Sequence, residues 1–68
     1  MKSVSGKELA RVLEAHGWEC KRVRGSHHVY VKEGCSVRLS LPIHGNSALK
    51  PGLLSFFLKT AGISEDEL

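Results

Sequence analysis

The chain has 68 residues, with 10 lysines and arginines, 7 acidic residues and a net charge of +3 at pH 7. This length supports one hydrophobic core, so we predict a single domain over residues 1–68. The composition argues against disorder. No apolar run approaches the roughly 18 residues of a membrane span. Met1–Lys7 lacks the apolar segment of a secretory signal. We therefore expect a cytoplasmic protein.

The first predicted element is a helix over residues 6–16. Ser5 and Glu8 have the Ser-x-x-Glu spacing of a capping box, which satisfies free N–H groups at a helix start. Apolar residues repeat at helical spacing from Leu9 onward. Gly17 is typical of the left-handed residue that follows a helix.

Two strands are predicted next, over residues 18–24 and 28–32. Gly25-Ser26 marks the turn between them. The second strand is rich in β-branched and aromatic residues. Trp18 follows the helix end, so we expect it to pack in the core. Both cysteines, Cys20 and Cys35, fall in predicted strands and are expected to be reduced thiols.

A third strand follows a tight hairpin turn at Glu33-Gly34. Val37, Leu39 and Leu41 alternate with polar residues, and Pro42 ends the strand because it lacks an N–H group. Pro51 suits the first position of a second helix, and Gly62 its end. Phe56 and Phe57 are adjacent, so one of them should be exposed.

The element order α-β-β-β-α predicts an α+β fold. The economical packing is a two-layer sandwich, in which a three-stranded antiparallel sheet carries two helices on one face. The other face of the sheet is then open to solvent or to a ligand.

The residues most suggestive of chemistry are His27 and His28, which follow the Gly-Ser turn among arginines. Histidine is the side chain best suited to proton transfer near neutral pH. RNA carries its own nucleophile, the 2′-hydroxyl group, so one positioned base with nearby cations is enough for cleavage. A histidine pair at a surface turn is also often incidental. Neighbouring strand residues point to opposite faces, so the pair is a poor metal site, and we expect neither metal nor cofactor.

Basic side chains surround these histidines. Arg22, Arg24, Lys32 and Arg38 fall in adjacent predicted strands and, with Lys21, are predicted to bind the RNA backbone. Tyr30 either fills the edge of the core or stacks on RNA beside the histidines. Strand parity alone makes His28 more solvent-facing than His27.

Several short motifs together resemble one family. They are Ser5-Gly6-Lys7-Glu8-Leu9, Leu13-Glu14-Ala15-His16-Gly17-Trp18, Arg24-Gly25-Ser26-His27-His28-Val29-Tyr30, Leu41-Pro42-Ile43-His44, Leu49-Lys50-Pro51-Gly52 and Leu58-Lys59-Thr60-Ala61-Gly62-Ile63. In order and spacing they resemble the HicA toxins, which are small mRNA interferases of bacterial type II toxin–antitoxin systems.

The resemblance implies a fold like a double-stranded RNA-binding domain, mRNA cleavage, and neutralisation by a HicB-like antitoxin. It also implies that His27 is the catalytic histidine, supported by the turn at Gly25 and Ser26. Strand parity keeps His28 as a lesser candidate. Two other functions stay open: a non-catalytic RNA-binding domain of the same fold, and a protein-interaction domain that uses the aromatic residues of the second helix.

Overall fold

The computed structural model describes residues 3–68, so Met1 and Lys2 of the N-terminal prediction lie outside it. The elements are α1 (Gly6–Ala15), β1 (Glu19–Arg24), β2 (His27–Val31), β3 (Leu39–Pro42), α2 (Pro51–Ala61) and a short 3₁₀ helix (Glu65–Glu67). This order confirms the predicted α+β fold. Among the described residues, neither helix has the length and apolar character needed to cross a bilayer.

Helix α1 begins at the predicted capping box. The Ser5 hydroxyl accepts a hydrogen bond from the Glu8 N–H at 3.2 Å, and the Glu8 carboxylate accepts one from the Ser5 N–H at 2.9 Å. The helix ends at Ala15, one residue before the predicted end, and His16 is its C-cap. Local signals in the sequence thus define both ends of α1.

The three strands form an antiparallel sheet in the order β1-β2-β3. The sheet and both helices pack into one buried cluster. The sheet contributes Tyr30, Leu39 and Leu41, and the helices contribute Leu9, Leu13, Leu54, Phe57 and Leu58. Trp18 belongs to the same core and is 3% exposed, as predicted. The helices therefore cover one sheet face, which leaves the other face open.

Strand β3 is shorter than predicted, because the chain turns away as soon as β2 ends. The Cys35 N–H donates to the Lys32 carbonyl group in this turn, and the pairing of β2 with β3 stops at Tyr30 and Leu39. Residues 35–38 therefore lie outside the sheet. The prediction of strand structure for Cys35 and Val37 is wrong, because these residues have no partner strand beside them.

Helix α2 has the predicted bounds. Pro51 occupies its first turn, and Gly62 follows it with a φ of 71°, the left-handed conformation that glycine adopts without strain. Phe57 is buried and Phe56 is 55% exposed, which confirms that one of the pair faces solvent.

Candidate active site on the open sheet face

The strand register places His27 among polar side chains on the open face of the sheet. Directly opposed residues of antiparallel strands project to the same face. His27 lies opposite Arg24 on β1 and Pro42 on β3. In the next row, Val29 lies between Arg22 and Ser40. His27, both arginines and Ser40 are exposed, so a histidine, a hydroxyl group and two guanidinium groups share one solvent-facing surface.

A β-bulge in β1 brings the two arginines to this face. Cys20 pairs with Tyr30 and Arg22 pairs with Val29, so Lys21 is an additional residue in β1. Without the bulge, alternation would put Arg22 on the same face as Cys20, which is the face of the buried Tyr30. The extra residue reverses the alternation, as a bulge does. Exposed Lys21 therefore stands at the bulge without a direct partner in β2.

The turn before His27 is fixed from two sides. Gly25 has a φ of 57°, and no residue other than glycine has a positive φ among residues 3–68. This combination in a two-residue hairpin matches a type II′ turn, which requires glycine at its first position. The Ser26 carbonyl group then accepts a hydrogen bond from the Ile43 N–H at 2.7 Å. The glycine turn and this hydrogen bond together hold the start of β2, where His27 lies.

Ser40 contacts the imidazole ring of His27. Its Oγ lies 3.4 Å from Nδ1 of His27. When Nδ1 carries the proton and donates to Ser40, Nε2 keeps its lone pair and is directed away from this contact. A neighbouring hydrogen bond of this kind selects the imidazole tautomer. The arrangement therefore suits a base that takes up a proton through Nε2.

His28 lies on the other face of the sheet. It is opposite Val23 and Leu41, and Leu41 is fully buried. His28 is partly buried, whereas His27 is exposed. The expectation that His28 is the more solvent-facing residue is wrong. His28 and Tyr30 are two residues apart and share one face of β2, and the buried Tyr30 shows that this face packs on the core.

Tyr30 does not stack on RNA beside the histidines. Its side chain is 3% exposed, and its hydroxyl group donates to a Glu14 carboxylate oxygen at 3.0 Å. Burial first, and then the hydrogen bond to Glu14, raise the pKa of Tyr30 to about 12. The prediction of an RNA-binding Tyr30 is corrected: this residue joins β2 to α1.

The predicted basic stripe is also shorter than expected. Lys32 lies beyond β2, and its side chain passes close to Gly17 at the end of α1. Arg38 is exposed, but it lies in the loop before β3 and not in a strand. The basic part of the open sheet face therefore comes from Arg22 and Arg24 of β1, with Lys21 at the bulge.

His44 is a neighbour of the site that had no predicted role. Its Nε2 lies 3.5 Å from Oγ of Ser26, the residue that precedes His27. A cavity of about 330 Å³ opens beside it and is lined by Pro42, His44, Ser47, Ala48, Leu49, Lys50 and Leu53. The sequence offers one indication of this placement: His44 lies two residues after Pro42, the last residue of β3.

No group of three or more histidine, cysteine, aspartate or glutamate side chains within residues 3–68 is arranged to hold a metal ion. Cys20 and Cys35 are both free thiols.

The comparison with known families gives one clear match. Among proteins with curated descriptions, none matches the chain. A family model described as the HicA toxin of bacterial toxin–antitoxin systems matches residues 6–63, which include both helices and all three strands. A match over most of the chain, together with the α-β-β-β-α order, shows that this protein belongs to the HicA toxin family.

Proposed function

We propose that this toxin is a metal-independent endoribonuclease that cleaves mRNA, with His27 as the general base. The single observation that carries the proposal is the setting of His27 on the open sheet face. This imidazole is exposed, lies directly opposite Arg24, and has its Nδ1 within 3.4 Å of Ser40 Oγ. Family membership supports the toxin part of the proposal.

The chemistry begins with proton removal by one base and is assisted by nearby positive charge. His27 Nε2 accepts the proton of a ribose 2′-hydroxyl group, and the oxygen attacks the adjacent phosphorus atom. The bond between phosphorus and the 5′-oxygen breaks, and the 5′-oxygen takes up a proton and leaves as a 5′-hydroxyl group. Negative charge grows on the phosphoryl oxygens during this attack. The guanidinium groups of Arg22 and Arg24 are permanently charged, and they neutralise that charge on the same sheet face.

The test is cleavage of a single-stranded RNA in EDTA by the wild type, His27→Ala and His28→Ala. Loss of a general base typically lowers the rate by about 10²–10⁴-fold. We expect this loss in His27→Ala only. His28→Ala is the matched control, because it removes the adjacent imidazole from the opposite face of the sheet.

Three results would contradict the proposal. Cleavage that EDTA abolishes would show that the reaction depends on a metal ion. Full activity of His27→Ala would assign the base to another residue. If the wild type binds RNA without cleaving it, the non-catalytic RNA-binding function is the correct alternative.

The partner of the toxin is proposed to be a HicB-like antitoxin that covers the open sheet face. A toxin–antitoxin family implies a neutralising partner, and the exposed arginines offer positive charge for it to bind. Co-expression with the product of an adjacent small gene should restore growth. Growth inhibition that this product leaves unchanged would argue against it as the antitoxin.

A further inference from the structure

We infer that His44 is a second catalytic residue, the general acid that protonates the 5′-oxygen of the leaving nucleotide. The inference rests on the proposed function, since it concerns the other half of the same cleavage reaction. It also gives a role to the cavity beside His44, which receives the leaving nucleotide.

The backbone places His44 diagonally across from His27, at the end of the β2–β3 ladder. The ladder of β2 and β3 continues past its last strand residue, because the Ile43 N–H donates to the Ser26 carbonyl group at 2.7 Å. Pro42 lies opposite His27, and Ile43 packs against the core. His44 is therefore diagonal to His27, a relation in which residues of paired strands are separated by about 7–8 Å.

Contacts with the turn orient the His44 ring. Its Nε2 lies 3.5 Å from the Ser26 hydroxyl group. In the protonated ring both nitrogens carry hydrogen, so Nε2 donates to Ser26 while Nδ1–H stays free for a substrate. Ser26 is bonded to His27 along the chain, and its carbonyl group is held by Ile43. The same turn thus fixes the positions of both imidazoles.

The reaction balances with these two groups alone. His27 takes the proton from the 2′-hydroxyl group as the bond between the 2′-oxygen and phosphorus forms. The bond between phosphorus and the 5′-oxygen breaks, and that oxygen takes a proton from His44. The products are a 2′,3′-cyclic phosphate and a 5′-hydroxyl group, with a net transfer of one proton from His44 to His27.

The cavity gives the leaving nucleotide a place on the correct side. Its volume is about 330 Å³, within the range of small-ligand sites. Its lining includes Pro42 and His44, the apolar side chains of Leu49 and Leu53, and the positively charged Lys50. Pro42 is the residue opposite His27, so the cavity lies next to the proposed base. In the proposed complex, the base of the leaving nucleotide packs on the two leucines and a phosphate lies beside Lys50.

The experiment uses two RNA substrates of one sequence with the full-length chain. One is ordinary RNA, and the other carries sulfur in place of the bridging 5′-oxygen at the cleavage site. A thiolate leaves without protonation, so the second substrate needs no general acid. We expect His44→Ala to cleave ordinary RNA about 10²-fold more slowly than the wild type or worse. On the sulfur-containing RNA it should come within about 10-fold of the wild type.

His27→Ala is the comparison that separates the two roles. Its defect should persist on both substrates, because the sulfur atom does not replace a base. A defect of His44→Ala that is equally large on both substrates would make it a positioning residue at most. Wild-type rates for His44→Ala on both substrates would remove it from the reaction. Each of these two outcomes overturns the inference and leaves the role of His27 intact.

Failure of the proposed function gives a different pattern. If the wild type cleaves neither RNA, or if His27→Ala cleaves both at the wild-type rate, the nuclease mechanism itself is wrong. Circular dichroism confirms that each variant is folded. His44→Asn serves as the second variant if His44→Ala unfolds, since its amide keeps a hydrogen-bonding group near Ser26 but does not transfer a proton.

Discussion

Ser40 determines which nitrogen of the catalytic histidine faces the substrate in the proposed mechanism. Its hydroxyl group lies 3.4 Å from Nδ1 of His27. Loss of one exposed hydrogen bond costs about 0.5–1.5 kcal/mol, so Ser40→Ala should lower the cleavage rate by about 3- to 10-fold. RNA affinity should not change. Ser36→Ala is the control, because this serine is exposed in the loop before β3. Equal rates for the two variants would show that Ser40 does not position His27.

Tyr30 makes folding stability depend on pH in the alkaline range. Its pKa is about 12 in the folded chain, whereas the usual pKa of a tyrosine side chain is 10.0. Because the folded value is higher, the stabilisation is complete below pH 10 and is lost as the pH rises towards 12. Two pKa units correspond to roughly 2–3 kcal/mol. Urea unfolding of wild type and Tyr30→Phe from pH 8 to 12 measures this loss. Parallel stability curves would contradict it, since other groups titrate alike in both proteins.

In the proposed mechanism, the turn between β1 and β2 connects backbone conformation to catalysis. Gly25 and Gly34 both have positive φ values, 57° and 81°, and an added Cβ atom would meet no other atom within 4 Å at either position. Alanine at each site should therefore cost a similar amount of stability, about 1–2 kcal/mol of left-handed strain. Only Gly25→Ala should slow cleavage, by about 10-fold or more, because it moves His27. Equal cleavage rates at equal stability would show that the turn does not position the imidazole.

The sequence predicts the helices more accurately than the sheet. A capping box at Ser5, a proline at residue 51 and a glycine at residue 62 are local signals, and they act within their own elements. The bulge at Lys21 has no such signal, since it depends on how β1 pairs with β2. Counting alternate residues therefore misses which face Arg22 and Arg24 occupy. The same limit explains Tyr30, because both its burial in the core and its hydrogen bond to Glu14, 16 residues away, depend on the tertiary fold.

The candidate site likewise has one part that is local in the sequence and one part that only the fold brings together. The motif around Gly25, Ser26 and His27 lies on seven consecutive residues, so the sequence is enough to single it out. Ser40 lies on β3 and His44 in the loop after it. They are 13 and 18 residues along the chain from the residues they contact. Only the fold brings them together. The predicted set of basic residues on the sheet also changes, because Lys32 and Arg38 lie outside the strands. The basic residues of the open face therefore belong to β1 alone.

Exposed basic side chains lie on both layers of the described structure, and their placement predicts how RNA binding responds to salt. Arg22 and Arg24 lie on the open sheet face, whereas Arg11 and Lys59 lie exposed on the two helices. For single strands, each phosphate contact contributes about 0.7 to the slope of log K against log salt. The double variant Arg22→Gln/Arg24→Gln should therefore reduce the slope by about 1.4.

The matched control is Arg11→Gln/Lys59→Gln, which removes the same two positive charges from the helical layer. Binding is measured with 2′-O-methyl RNA, which has no free 2′-hydroxyl group and is therefore not cleaved. We expect the control to keep the wild-type slope within error, because its charges face away from the open sheet. Equal reductions in both double variants would mean that only net charge matters, and that RNA has no preferred face. A slope near zero in the wild type would exclude phosphate contacts altogether and would favour the protein-interaction alternative, with Phe56 as the exposed aromatic residue of α2.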